Sequence, residues 1–569
     1  MGAFMTLRGA RWRGFVATTL VALSGYLAGT SAHHDAKWIA GVAVWFAGAT
    51  LLLLSWLALG GTASGTANRC LRVLQRRGRG HDAGACGGAV WPRSWQLRER
   101  DERGPGLRWL LVTGALWSAP LLLAPVLGSR DVYAYACQGQ LFDAGFDLYT
   151  VGPDAMPCTW LHAVPPLWRS TPTPYGPLWL ALEGAVAGIA GANLPIAVTL
   201  FRLIAVLGTL LCLVAGSRLA VRSGGTPTTF ARLAVISPLV LVHVVSGAHN
   251  DVLLAGLVLS GLALAAQRLR PIGANLALAG VAFGLAAGVK ITALVAAPFV
   301  IPLLLARHIP LAEHIPLAEH TPPDRRARAA RLIALSAAFA AVVAATYAAL
   351  AAATNHGIGF LHALQSTSTL VQWLSVPTGV GMAVGYLLRA LGAAPDTFAD
   401  AVSAARAIGL AVLAVVLVAL WRWAVRQAHR TSVVLTAAGL ALIAAAVLGP
   451  VFYAWYAIAG LAVLAATSLA NPTPAAAPTD PPPGAADPAD PPPAATALAA
   501  RRLRTAVTAA AGGLIFLTLP DSLGLATKTK VPGAFLDLAL LIVLAGWWIG
   551  RGLGKRSPVR STPPVTGRR

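Results

Sequence analysis

The sequence predicts an all-α polytopic membrane protein. Three observations carry this expectation. The 569 residues are 56% hydrophobic and only 11% charged, whereas soluble domains average about 25% charged. The mean hydropathy is +0.67. Apolar runs near the ~20 residues that cross a bilayer recur along the chain. Together these exclude a disordered chain, a collagenous rod and an ordinary soluble enzyme. The net charge is +23. A nucleic-acid binder would carry that charge on a polar domain, so no nucleic-acid partner is expected. Basic cytoplasmic loops of a membrane protein account for it better.

The first apolar runs are 15–32, 38–60 and 108–127. Arg8, Arg11 and Arg13 precede them, and nine arginines from Arg69 to Arg103 follow the second. Excess Lys/Arg marks the cytoplasmic side, so both basic segments are expected inside. The first run has a small-residue end at Gly25 and Ala32, but a second apolar run follows almost at once. That favours an uncleaved helix over a signal peptide. The third run then exits near Leu127, which puts 128–175 outside. This loop is polar, aromatic and Pro-rich, with few basic residues.

Further runs follow at 195–217, 231–248, 251–267, 272–289, 291–306, 331–353, 404–421, 433–450, 453–470, 503–519 and 533–550. The shorter runs 176–192 and 377–391 read as re-entrant or surface-lying helices. The total is roughly 14 spans. The clusters at Arg218/Arg222/Arg232, Arg268/Arg270, Arg325–Arg331, Arg422–Arg430 and Lys555–Arg569 then all fall inside. Counting the two short runs as full spans would force some clusters outside, against the positive-inside rule. Both termini are expected in the cytoplasm of a multi-pass cell-membrane protein.

Four segments are expected. Residues 1–107 form a two-helix hairpin and basic loop, and 108–470 form the main module. Residues 471–499 are an Ala/Pro/Asp-rich cytoplasmic linker, and 500–569 form a second hairpin with a basic tail. The hexapeptide HIPLAE occurs at 308–313 and again at 314–319; it is too short for a solenoid, and no function is assigned to it. His308, His314 and His320 recur every six residues on a Pro-broken loop, a spacing that does not define a metal set. Five cysteines form no zinc or haem pattern. Cys70 and Cys86 are expected inside and reduced, and Cys212 packs in a helix. Cys137 and Cys158 share the external loop, where a disulfide is permitted; two unpaired thiols are the alternative.

Charges in or beside spans are functional candidates because they are costly there. Asp131 stands just beyond the outer end of a span, where it suits a general base that takes a proton from an incoming hydroxyl. A helix-end Asp that merely solvates a terminus is the competing reading. The rest of the loop shifts the balance. It supplies Arg130, Tyr133, Tyr135, Gln138, Tyr149, Arg169 and Tyr175. Aromatic faces and amides suit a sugar, and Arg suits a phosphate. An interfacial aromatic belt would explain the rings but not the amides. His249, Asn250 and Asp251 lie between an outgoing and a returning span, and Lys290 divides 272–289 from 291–306. The alternation of spans delivers Asp131, Arg169, His249/Asp251 and Lys290 to one face. Each alone could be a helix cap. Their joint placement on a chain this poor in charge favours a site.

The segments SRDVYAY…QGQ…GFDLYTVGP (129–153), WRSTPTPYGPL (168–178), GAHND (247–251), GVKI (288–291) and GPVFYAWY (449–456) resemble actinobacterial polyprenol-phosphate-mannose-dependent α-1,6-mannosyltransferases of the MptA/MptB type. The resemblance runs from about residue 105 to 470 and lies closer to the MptB side. The combination of DVYxY with WRxTPxPYGPL in one loop is its most specific part. It implies a GT-C glycosyltransferase fold acting in lipomannan and lipoarabinomannan assembly. It also implies a polyprenyl-phosphate-mannose donor, a mannosylated lipid acceptor, and Asp131 as the group that deprotonates the acceptor. Many members carry two adjacent acidic residues; here the neighbour of Asp131 is Arg130, so a metal held by an acidic pair is not supported and no cofactor is expected.

On this reading the enzyme faces outward and works in one inverting step. Arg169 and Lys290 stabilise the leaving phosphate, Tyr133, Tyr135, Gln138, Tyr149 and Tyr175 position sugars, and Arg130, His249, Asn250 and Asp251 contact donor or acceptor. The rivals are an arabinofuranosyl transferase, a lipid or solute transporter, and a non-catalytic scaffold. A transporter would call for internal symmetry and polar residues at mid-membrane, and the sequence has no convincing repeat of its halves.

Overall fold

The computed structural model describes residues 6–28, 35–60, 105–267, 270–305, 325–366, 370–467, 494–521 and 524–554. Among these the regular structure is helical, apart from one antiparallel bridge between Thr518 and Gly524. The helices that matter here are α1 (Leu7–Ala28), α2 (Ala36–Ala58), α3 (Leu107–Leu123), α4 (Asp131–Asp143), α5 (Pro177–Ala190), α6 (Leu194–Arg222) and α7 (Pro227–Ala234). They continue with α8 (Asp251–Ala265), α9 (Ile272–Val289), α10 (Arg325–Thr354), α11 (Val376–Ala390), α12 (Thr397–Arg426), α13 (Thr431–Leu448), α14 (Ala457–Ala465), α15 (Ala494–Gly513) and α16 (Lys530–Gly554).

Local chemistry sets several of their starts. Asp35 caps α2 by accepting from Trp38 N at 2.8 Å. Asn193 caps α6 through Ile196 N at 3.1 Å, and Thr226 caps α7 through Thr229 N at 3.1 Å. Proline occupies the first turn of α5, α6 and α7, where its missing N–H costs nothing.

Among the described residues, seven helices are long and apolar enough to cross a membrane. They are eight if the pair Pro227–Ala234 and Pro238–Ser246, bent by 48°, counts as one span. Five further apolar helices are only 10–17 residues long. The chain is an all-α polytopic membrane protein. A helix lies at each of the roughly 14 expected apolar runs, but several are broken. Ser237 is extended before Pro238, the conformation proline favours in the residue ahead of it, and this interrupts the run 231–248. The run 291–306 begins as tight turns over Ile291–Val295 and Ala297–Phe299. The short run 176–192 is the 14-residue α5, and 377–391 is the 15-residue α11.

The chain forms two compact units. The first comprises Met1–Thr369, Leu413–Ala446 and Tyr453–Leu525. The second comprises Leu370–Val412, Val447–Phe452 and Ala526–Arg569. The division therefore does not fall at the 471–499 linker, because helices from both sides of that linker pack in the first unit. Phe46 of α2 stacks on Phe516, and Gly512 of α15 lies against Leu53 and Trp56. Residues 471–493, the HIPLAE repeat with His308, His314 and His320, and Cys70 and Cys86 lie outside the described residues.

In the second unit, Met382, Ala383, Val402 and Ala534 form the core. Ser375 and Thr378 donate to the carbonyls of Gly449 and Pro450 at 2.6 and 2.7 Å.

Candidate active site

The site lies in the first unit and begins with Arg202. This buried arginine of α6 donates to Leu122 O at 2.7 Å, Ala124 O at 3.0 Å and Ser246 O at 3.2 Å. One guanidinium thus joins the end of α3 to the end of the bent span. Leu127 N adds a bond to Ser246 Oγ at 3.2 Å. Those two chain ends lead directly into Asp131 and His249.

Past α3 the chain turns at Gly128, whose φ of +87° is a left-handed conformation that glycine adopts freely. A Cβ there would stand 2.9 Å from His243 Nδ1. Ser129 Oγ then accepts from Asp131 N at 3.0 Å. Asp131 opens α4, and its side chain is 14% exposed. Burial pushes its carboxyl up to about 6; the Ser129 hydrogen bond and the Lys290 charge pull down against it, and Asp251 adds to the rise.

The bent span ends in a π-helical turn, Leu241–Ser246, a form that recurs at functional sites. Ala248 comes next at φ +53°, an uncommon backbone for a residue with a Cβ. This turn delivers His249 to Asp131, with Nδ1 3.9 Å from Oδ2. The imidazole is fully buried and stacks on Trp455 with centroids 4.1 Å apart. Burial, with His243 and Lys290 nearby, holds its pKa well below the usual range, so it is neutral at pH 7. His249 is therefore a neutral neighbour of the carboxyl, and neither of its ring nitrogens has a hydrogen-bond partner in the protein.

Lys290 ends α9 by its extended backbone (φ −157°). Its Nζ lies 3.2 Å from Asp251 Oδ1 and 4.0 Å from the centre of the Tyr456 ring. The Tyr175 ring is 5.8 Å away. Gly176 brings that tyrosine close. Its N–H donates to Val289 O at 3.1 Å, and a Cβ on it would stand 2.5 Å from Gly288 O. Gly176→Ala must push the 128–175 loop off the end of α9. We expect at least a tenfold loss of activity, checked by steady-state kinetics.

Other expected residues fall into four groups. Tyr135 and Tyr149 support Tyr175: the Tyr135 and Tyr175 hydroxyls are 3.3 Å apart, and Tyr149 donates to Tyr175 O at 3.1 Å. Gln138 Oε1, both polar atoms of Asn250 and Asp251 Oδ2 are buried without a protein partner, which leaves them able to bond a ligand. Tyr133 lies within electrostatic reach of Arg130 and Arg202. The two arginines expected to meet substrate give part of their N–H groups to backbone carbonyls. Arg169 donates to Val164 O and His162 O at 3.0 Å each, closing its own loop. Arg130 donates to Asp521 O at 2.9 Å.

The Cys137–Cys158 disulfide is formed, across a sequence separation of 21. It ties the 144–175 segment back to α4. A loop of this length predicts about 3 kcal/mol of stabilisation. Cys158→Ser should lower the melting temperature of the detergent-purified protein, and reductant should lower that of the parent but not of the variant.

Residues not anticipated include Trp455 and Tyr456, from a segment quoted only as a motif. Arg202 and the fully buried Glu183 of α5 were also unassigned, although each is a charge inside an apolar run. That signal alone marks them.

Fold and site define an all-α polytopic membrane protein in which the buried His249, Asp251 and Lys290 gather near the Asp131 carboxyl. The chain belongs to the family described as alpha-(1->6)-mannopyranosyltransferase, N-terminal domain, whose model matches residues 1–306. The MptB C-terminal domain model matches residues 377–478. The chain is 34% identical over 355 residues to alpha-(1->6)-mannopyranosyltransferase A of Mycobacterium tuberculosis, covering 62% of this chain and 64% of that one. It is 30% identical to the A protein of Corynebacterium glutamicum, over 59% of this chain and 66% of that one. It is 29% identical to the B protein of the same species, over 62% and 58%. The chain thus spans less than two thirds of these relatives' lengths. Pairwise identity does not favour the B side that the motifs suggested; the C-terminal domain match does. No solved structure matches the chain.

Proposed function

We propose that this protein is an inverting mannosyltransferase acting on the outer face of the membrane. It would move mannose from polyprenyl-phosphate-mannose to the 6-hydroxyl of a mannosylated lipid acceptor, building an α-1,6 mannan core of the lipomannan type. The observation that carries this reading is the convergence of Asp131, His249 and the Asp251–Lys290 pair, from three separated segments, into one cluster. The curated relatives, named as alpha-(1->6)-mannopyranosyltransferases, support it.

Asp131 removes the acceptor O6 proton as O6 attacks the anomeric carbon. The bond from that carbon to the phosphate oxygen breaks, and polyprenyl phosphate leaves with the electron pair. The proton ends on Asp131 and passes to solvent. Inversion that yields an α bond requires a β-linked donor. Lys290 keeps N–H groups beyond the one it gives Asp251, and these meet the charge that grows on the leaving phosphate. Phosphate is a good leaving group, so the proposed step calls for no metal or other cofactor. Tyr175, Gln138 and Asn250 line the sugar positions, and the donor's tail lies among the lipid-facing helices.

The test is to incubate the purified protein with labelled polyprenyl-phosphate-mannose and a mannoside acceptor, and then to analyse the linkage. A new α-1,6 bond supports the reading. Transfer only from an arabinofuranosyl donor, or substrate movement across vesicles without transfer, refutes it.

A further inference from the structure

Residues after 493 fall outside both family matches, yet they reach the site twice. α15 continues into the tight turn Leu514–Leu517. That turn packs against Ala454–Tyr456, which bears Trp455 and Tyr456. Four residues on, the carbonyl of Asp521 accepts the Arg130 Nε–H at 2.9 Å. Arg130 immediately precedes Asp131 and is the N-cap of α4. Asp521 is itself fixed. It is 3% exposed, and its Oδ2 accepts from Trp38 Nε1 at 3.0 Å. Trp38 stands in the capped first turn of α2. Phe516 stacks on Phe46 with the ring planes 8° apart. The Thr518–Gly524 bridge closes the turn that holds Asp521.

We infer that residues 514–521 form a strap that positions the catalytic end of α4, and that Arg130, Asp521 and Trp38 are positioning residues for Asp131. The physical need is plain. The first turn of a helix has four N–H groups without intrahelical partners and is the part that frays. Asp131 sits in that turn, and a general base misplaced by about 1 Å can lose about a hundredfold in rate. Arg130 Nε bonds a carbonyl of a segment held at two other points, which removes that freedom. The strap explains why an arginine beside the catalytic carboxyl turns toward the C-terminal segment.

The inference rests on the proposed role of Asp131, so its test has one arm that reads the strap without any reaction. In the full-length protein, Trp38→Phe and Arg130→Ala should each speed hydrogen exchange at the amides of residues 131–134. With the mannosyl donor, kcat should fall about tenfold while the donor KM stays within about twofold. Arg130→Lys, which keeps a donor, should recover part of kcat. If the parent protein transfers no mannose, the proposed function fails and hydrogen exchange alone judges the strap. Unchanged exchange, or faster exchange with unchanged kcat, overturns the positioning role. So does a raised KM at constant kcat, which would make Arg130 a ligand-binding residue.

Discussion

Asp131→Asn should lower the transfer rate by about a thousandfold, the middle of the range that general-base catalysis supplies, while raising the stability of the fold at pH 7. The two effects have one cause. Burial holds the folded carboxyl at about 6 against an ordinary value of 3.8. The folded chain therefore grips the proton more tightly than the unfolded chain does. Stability is fully present below about pH 4, is lost as pH rises through 6, and at pH 7 the whole cost is in place. Two units correspond to roughly 3 kcal/mol, and partial exposure reduces this to on the order of 2 kcal/mol. Asparagine never ionises and avoids that cost. Melting of the detergent-purified pair should thus differ at pH 7 and coincide near pH 4. The parent's rate should fall about tenfold per pH unit below 6, as the base takes up its proton, and the residual rate of the variant should lack that limb. Near-normal transfer by Asp131→Asn would remove the carboxyl from the mechanism. A variant less stable than the parent at pH 7 would show that Asp131 is a structural cap.

Much of this site was legible because charge is so scarce. The alternation of spans expected from the basic clusters assigns Asp131, Arg169, His249/Asp251 and Lys290 to one face. The structure places Lys290 3.2 Å from Asp251 and His249 3.9 Å from Asp131. What a sequence shows less well is where a long side chain turns. Arg130 and Arg169 carry the right charge in the right loop, and each also gives N–H groups to backbone carbonyls. Trp455 and Tyr456 were given no role, because a ring's stacking partner depends on packing. Arg202 and Glu183 were hidden by averaging over apolar runs, although a single charge in such a run is the rarer event. The Pro-rich linker read as a boundary, yet α15 on its far side packs into the same unit as α2. Covalent distance along a low-complexity segment says little about spatial distance.

Lys290 carries the second large expectation, and a double substitution separates its two roles. Lys290→Met should abolish transfer and also destabilise the fold by about 3–5 kcal/mol, because it leaves the buried Asp251 carboxylate without its cation. Loss of activity in that variant alone would be ambiguous. Asp251→Asn in the same chain removes the stranded charge. The double variant Lys290→Met/Asp251→Asn should therefore recover expression and melting temperature to near the parent level, since replacing a buried pair by neutral groups of similar volume is often neutral or better. It should still transfer no mannose above a hundredth of the parent rate, because the charge facing the leaving phosphate is gone. Thermal melting and single-turnover transfer on the parent, both single variants and the double variant close the cycle. Recovery of fold without activity, with Asp251→Asn alone still transferring mannose, assigns Lys290 to the chemistry. Recovery of both would reduce the Lys290–Asp251 pair to architecture, and the phosphate would have to be stabilised by another cation.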